Sequence, residues 1–266
     1  MEENMERLIV NDLSAYSGSD ILLSKINLDL SLGSSLVIVG RSGSGKTLLT
    51  KLLIGQCPSN VQMTGRITCQ DMRLDQLDAK QWQSIRGRHM AYMVQNPMAM
   101  FNPFQTIEAH LLETIRSHER LSKRACLKRA LPFMRELYLE QPEELLRKYP
   151  FELSGGMLQR VMLAILLCLD PQMIILDEPT SALDDANRSN IIRMLKLLQD
   201  KGKTIITVTH DYQLAQTLGG QLLVMSKGKI IEQGSVESIF HRPSQAATKE
   251  LLLQNHYDRL IRYDRV

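Results

Sequence analysis

At 266 residues the chain exceeds the roughly 100–200 residues typical of one domain, which predicts one large domain or a core carrying a subdomain. With 44% hydrophobic and 23% charged residues it has the balance of a folded protein, which excludes long disorder. A formal net charge of +3 is too slight to mark a nucleic-acid binder, the acidic start Met1–Arg7 shows no secretory signal, and the longest apolar run, Val161–Leu169, is far too short to span a bilayer.

In chain order, short β-rich runs alternate with helical patterns, the signature of an α/β protein. Leu8–Val10, Ile26–Leu30 and Leu36–Val39 read as strands, then Arg66–Gln70 and Met90–Val94. From Thr106 to Leu169 no β-rich run occurs and apolar residues recur at helical spacing. This predicts a helical insertion with breaks near Pro132, Pro142 and Pro150. Strands return at Met173–Leu176, Thr204–Thr207, Gln221–Met225 and Lys229–Glu232, with a helix over Asp184–Gln199. A last helical stretch after Pro243 carries Leu251, Leu252 and Leu253. The expected division is a nucleotide-handling core over 1–97 and 171–240, a helical subdomain over 98–170, and a C-terminal helical extension over 241–266. Cys57, Cys69, Cys126 and Cys168 lie far apart with no C-x-x-C pair, which reads as the reduced thiols of a cytosolic protein.

Three motifs carry chemistry. Gly40-Arg-Ser-Gly-Ser-Gly-Lys-Thr47 fits G-x-x-x-x-G-K-[ST] between a predicted strand and a predicted helix, Leu48–Leu53. Gly40, Gly43 and Gly45, with Ser42 and Ser44 between them, let backbone N–H groups turn onto phosphate oxygens at a helix start. Lys46 suits the β- and γ-phosphates and the Thr47 hydroxyl suits magnesium. Met173-Ile-Ile-Leu-Asp-Glu-Pro179 closes an apolar strand in two carboxylates, which period-two alternation points in different directions. Asp177 suits the magnesium shell, and Glu178 suits a water facing the γ-phosphate, as general base or water-positioner. Leu153-Ser-Gly-Gly-Met-Leu-Gln-Arg160 is a second anion-binding helix start: Ser154 is an N-cap, and Gly155 and Gly156 leave backbone N–H groups bare. One triphosphate rarely needs two such starts, so the second is expected to serve the nucleotide of a second chain.

With the order P-loop, Gln95, L-S-G-G, D-E-P, S-A-L-D and His210, the sequence resembles the ATP-binding cassette ATPases of membrane transporters over nearly its whole length. The resemblance implies a P-loop NTPase (RecA-like) α/β core with a β-rich N-terminal part and an inserted helical subdomain, and ATP and Mg2+ as cofactors. It places Tyr16, 24 residues before Gly40, where the family stacks an aromatic ring on adenine. Gln95 matches the glutamine that touches magnesium or the attacking water and reports to the transport subunits. Ser181-Ala-Leu-Asp184 matches the loop that crosses between paired cassettes, and His210 matches the histidine that reaches the γ-phosphate. The implied catalytic set is Glu178, His210 and Gln95, with Thr47, Gln95 and Asp177 on the metal. Implied partners are a second cassette in a heterodimer, two transmembrane permeases and, indirectly, an extracytoplasmic solute-binding protein. The expected location is the cytoplasmic face of the inner membrane, as a peripheral subunit.

Val94-Gln-Asn-Pro-Met-Ala-Met-Phe-Asn-Pro103 and Tyr149–Arg160 look like the peptide and nickel importers. Phe101, Leu158 and the absence of cysteine after Cys168 resemble the nickel and metallophore branch, with dipeptide or oligopeptide import as the alternative. A soluble, non-transport cassette usually carries two cassettes or a long coiled coil, and only 59 residues separate Gln95 from Ser154. Met98 and Met100 read as packing against a transport subunit. Arg116, Lys123, Arg124, Lys128 and Arg129 read as a solvated basic face, with lipid headgroups as a second reading.

Overall fold

The structure, a computed structural model, describes residues 6–181 and 183–253. Met1–Met5, Ala182 of the S-A-L-D run, and residues 254–266 of the expected C-terminal extension lie outside the described residues. The chain divides into two compact units, Met1–Gln76 with Val208–Val266, and Leu77–Thr207.

The first unit opens with β1 (Arg7–Ser17), β2 (Asp20–Ser31), β3 (Ser35–Gly40), helix α1 (Lys46–Leu53), β4 (Gln62–Cys69) and the short β5 (Met72–Arg73). One antiparallel sheet has the order β2-β1-β4-β5. β1 runs well past the Leu8–Val10 stretch that alternation suggests, because a bulge interrupts its period. The register with β2 slips between Val10 and Leu13, and Asp12 takes φ 47. Asn27 stabilises that bulge from β2, accepting from the Asp12 N–H at 2.9 Å and donating to its carboxylate at 3.2 Å. All six residues of β3 are buried, as its apolar run requires.

The second unit contains α2 (Ala79–Ile85), β6 (Met90–Met93), α3 (Ile107–His118), α4 (Lys123–Glu136), α5 (Pro142–Leu145), α6 (Gly155–Leu167), β7 (Met173–Asp177), α7 (Asp185–Asp200) and, at its end, β8 (Thr204–Val208). Its strands lie in the order β8-β7-β6, with β6 parallel to β7. Thr106, Ser122, Ser154 and Asp184 each accept a hydrogen bond from the backbone N–H three residues on, which fixes the starts of α3, α4, α6 and α7. α6 buries nine of its 13 residues and is the helix on which α3 and α4 pack. The expected break at Pro132 is absent: α4 runs through it. Pro132 and Lys128 are both exposed, so the one helical hydrogen bond proline removes lies on a face that water reaches. The breaks at Pro142 and Pro150 do occur, each proline standing at the first position of a new turn.

The basic stretch is largely engaged within the insertion. Lys123 pairs with Glu108 at 2.6 Å, and Arg116 donates to the Leu121 carbonyl. Arg129 forks onto Glu119 at 2.6 and 2.8 Å and reaches the Cys168 carbonyl. All four cysteines are free thiols, and burial pushes Cys168 up to about 12.

The chain returns to the first unit through α8 (Tyr212–Leu218), β9 (Gln221–Ser226), β10 (Lys229–Ser235), α9 (Val236–His241) and a helix described over 246–253. β9 pairs parallel with β3 and antiparallel with β10. Leu251 of the last helix is buried with Val37, Val39, Ala215, Leu222, Val224, Val236 and Ile239, which ties that helix to the back of β3 and β9.

Arg160 holds the insertion together in a way its charge does not announce. Only 8% exposed, it donates to the carbonyls of Leu137 and Tyr138, at 3.2 and 2.8 Å, just past α4, and to Gly156 at 3.3 Å. Arg160→Ala should therefore cost about 2–4 kcal/mol, the range for losing charged hydrogen bonds and leaving carbonyls unmatched. Chemical denaturation checks this; a change under about 0.5 kcal/mol would contradict the role.

Candidate active site

The P-loop lies between β3 and α1 in the first unit. Its shape is set by close approach at two glycines. A Cβ on Gly40 would stand 2.3 Å from the Met225 carbonyl oxygen, and one on Gly45 would stand 2.6 Å from Leu23 Cδ2. Gly45 caps α1 with φ 99, a conformation glycine takes without steric cost, and it gives no side-chain cap. The N-cap position thus offers no side-chain oxygen to the first turn of α1, a helix start of the kind that suits an anion. Ser42 and Gly43 are exposed, Thr47 is half-buried, and the Ser44 hydroxyl is buried with no hydrogen-bond partner among the described residues. Lys46 is 7% exposed, and its Nζ donates to the carbonyls of Gly40 at 2.7 Å and Arg41 at 3.0 Å. The loop is closed on its own cation, already stripped of most of its water.

Two further expected residues belong to this unit. The Thr209 N–H donates to the Ile38 carbonyl of β3, which anchors the neighbouring His210 beside the strand that leads into the P-loop. The His210 ring is held below its ordinary value, first by loss of water around it and second by the Lys46 charge. Asp211 then caps α8 through the N–H groups of Gln213 and Leu214, fixing the turn. Tyr16 is half-buried on β1, in register with Ile21 and Gln62. The residue before it, Ala15, pairs with Leu23, whose side chain is the one that would meet a Cβ on Gly45. The strand that reaches the P-loop is therefore β2, the partner of the strand that carries Tyr16.

The second unit holds Gln95, Ser154, Gly155, Gly156, Asp177 and Glu178. Gln95 is exposed just past β6. Ser154 and Gly155 are exposed at the start of α6 and Gly156 is half-buried, so the amides of this helix start lie at the surface. Asp177 is 1% exposed at the end of β7. The Tyr92 hydroxyl, from the adjacent strand β6, lies 3.4 Å from Asp177 Oδ2, a long bond between buried groups. Glu178 does not continue the strand's alternation. It takes φ 53, and its carbonyl accepts from Gln159 Nε2 at 3.0 Å, Ser181 Oγ at 3.1 Å and Ser181 N–H at 3.3 Å. Tyr92 and Gln159 escaped the sequence reading. Tyr92 sits inside an apolar run and Gln159 next to Arg160 on α6, and only strand pairing and helix packing disclose their partners.

Thr47, Gln95 and Asp177 supply a hydroxyl, a carboxamide and a carboxylate, hard oxygen donors of the kind magnesium takes. Among the described residues no group of three or more His, Cys, Asp and Glu side chains could hold a metal ion by itself. No helix among the described residues is long and apolar enough to cross a membrane.

Comparison with known proteins identifies the family. The family described as ABC transporter matches residues 23–181. The metal-staphylopine import system ATP-binding protein CntD of Staphylococcus aureus is 33% identical over 249 residues, 91% of this chain and 92% of its own. The dipeptide transport ATP-binding protein DppD of Lactococcus lactis subsp. cremoris is 35% identical, over 92% of this chain and 73% of its own. Among solved structures, the dimeric ATP-binding cassette MJ0796 in a post-hydrolysis state with ADP and phosphate superposes with TM-score 0.77 at 26% identity, covering 86% of this chain and 98% of that one. The strand, P-loop and helix of the first unit, the acidic strand end of the second and these likenesses point one way: the chain belongs to the ABC transporter family, as one of its ATPases.

Proposed function

We propose that the chain is the ATP-hydrolysing subunit of a membrane importer whose cargo is nickel or a metal–chelate complex. The observation that carries the importer reading is the likeness to CntD and DppD, both named for import or transport and both matched over more than nine-tenths of this chain. Phe101 and Leu158 favour the metal–chelate branch over the peptide branch, for which the DppD likeness speaks. Deleting the gene should cut uptake of radioactive nickel presented with a chelator and spare dipeptide uptake; the reverse result establishes the peptide reading. A second cassette, two permeases and a solute-binding protein complete the proposed assembly at the cytoplasmic face of the membrane.

In this reading the P-loop amides and Lys46 bind the phosphates, and Tyr16 stacks on adenine. Thr47, Asp177 and Gln95 would hold Mg2+, which when bound neutralises the charge that develops on the transferred phosphoryl group. Glu178 takes the proton of the attacking water, or orients it. His210 supplies an N–H to the γ-phosphate. The amides that follow Ser154 serve the nucleotide of a second cassette, to which their surface position leaves them open.

Three outcomes test these roles. Glu178→Gln keeps shape and removes the base, so turnover should fall by about 10²–10⁴ with ATP affinity retained. A wild-type rate in steady-state hydrolysis would contradict the assignment.

His210 should titrate below 6.5 in the nucleotide-free chain and move up when a non-hydrolysable ATP analogue with Mg2+ brings negative charge beside it. The sign for stability follows. The unfolded chain takes a proton on this ring near its ordinary value and the folded chain resists it, so stability falls as pH drops below about 6.5, until the folded ring is also protonated. NMR titration of the ring, with and without the analogue, measures both midpoints.

Hydrolysis should require a second cassette. Specific activity per chain should rise with protein concentration or with added partner, and Ser154→Arg should abolish the rise while the same chain still binds ATP. Losing such an electrostatic donor typically costs about 10²–10³ in rate. Activity that stays high in dilutions where the chain is monomeric would overturn the shared-site reading.

A further inference from the structure

Glu178 occupies a backbone conformation that a non-glycine residue seldom adopts, with φ 53 directly after a regular strand. That turn breaks the period-two alternation of β7, so the position of the Glu178 carboxylate is set by the turn and not by the strand. What holds the turn is its carbonyl oxygen. It accepts twice from Ser181, three residues on in the same turn, and once from Gln159 of α6, 19 residues earlier.

Gln159 is 0% exposed. Its Nε2 makes the 3.0 Å bond to the Glu178 carbonyl, while among the described residues nothing pairs with its Oε1. A buried carboxamide with one unmatched end is a poor choice for packing alone, since methionine would fill nearly the same space without a polar atom. The donor is what the position uses. It comes from a helix packed into the insertion, so it fixes the turn to a rigid element that the local Ser181 bonds do not reach.

We propose that Gln159 is a positioning residue for ATP hydrolysis, holding the left-handed turn at Glu178 from which the carboxylate meets the water. The proposal rests on the reading of Glu178 as the general base. It assigns Gln159 no contact with ATP: the residue acts through the Glu178 backbone.

The test uses the full chain, at concentrations where turnover per chain no longer rises. Gln159→Met removes the donor and the unmatched oxygen at nearly constant volume. ATP affinity and KM should stay near wild type while kcat falls about 10–100-fold, the scale of a reacting group misplaced by about an ångström. In a Glu178→Gln background the same change should cost nothing further, because both act on one step. An unchanged kcat in Gln159→Met, or a loss that multiplies undiminished in the double variant, overturns the proposal and leaves the base reading standing. A wild-type rate in Glu178→Gln alone overturns the base reading and the proposal with it. Should Gln159→Met fail to fold, Ser181→Ala decides: Ser181 is exposed, and loss of its hydroxyl bond to the same carbonyl should lower kcat about 2–10-fold, again only when Glu178 is present. No loss there overturns the proposal.

Discussion

The buried ammonium of Lys46 is the constraint on which the first unit is arranged. A cation taken out of water must be matched, and it is matched by the carbonyls of Gly40 and Arg41, at 2.7 and 3.0 Å. Those carbonyls turn toward it because the loop folds tightly, and the loop folds tightly because Gly40 and Gly45 carry no Cβ where Met225 and Leu23 press in. The hairpin turn between β9 and β10 completes the enclosure: the Gly228 N–H donates to the Ser44 carbonyl, and the Gly228 carbonyl accepts from the Ser24 N–H of β2. β2, β9 and the P-loop are thereby joined through one another's backbones. A desolvated cation already in place is electrostatically preorganised, since its dehydration cost is met in folding and not when a phosphate arrives.

The second unit repeats that logic with the charge reversed. β7 is buried along its whole length and ends in Asp177, a carboxylate almost fully removed from solvent, with the Tyr92 hydroxyl of β6 nearby. The next residue turns left-handed, and its carbonyl is tied down from α6 and from Ser181. β7 carries its charged group at its own end, whereas Lys46 opens the helix after the loop that follows β3; in both cases hydrogen bonds from nearby groups fix the backbone there. Single strands deliver the residues; their neighbours hold them.

That division explains what could be read from the sequence. The P-loop, the D-E strand end and the S-G-G helix start were legible because each demands a residue type at a fixed offset: glycine where a side chain would collide, serine where a helix needs a cap. The strands β3, β6, β7, β8 and β9 were legible for a similar reason, being short runs dominated by apolar and β-branched residues. β1 was seen only in part, since the bulge at Asp12 shifts its alternation, and the evidence for its continuation is the answering Asn27 on another strand. Helix α2 was missed although Asp78 and Gln81 form a full capping box, because its seven residues are too few to show periodicity. Tyr92, Gln159 and Arg160 were illegible in a stronger sense. Their partners are a carboxylate 85 positions away and backbone carbonyls 19 to 23 away, and no spacing rule connects them.

The same residues show where the fold gives up stability. Glu178 sits in a left-handed conformation, and Ser44 Oγ and Gln159 Oε1 are buried without partners among the described residues. Each is a local conflict of the kind that sequences remove unless function keeps it. Ser44 stands in the P-loop, Glu178 directly after β7, and Gln159 on α6 with its amide on the Glu178 carbonyl. One of the three, the Ser44 hydroxyl, lies in the proposed phosphate loop, where a phosphate oxygen could accept from it. Binding there would relieve that conflict, and a ligand that binds only the folded state stabilises it by an amount that grows with the logarithm of its concentration over its Kd. The strain at Glu178 is different in kind. It is held by Gln159 and Ser181 from within the chain, and the free energy spent on it goes to the geometry of the carboxylate rather than to affinity.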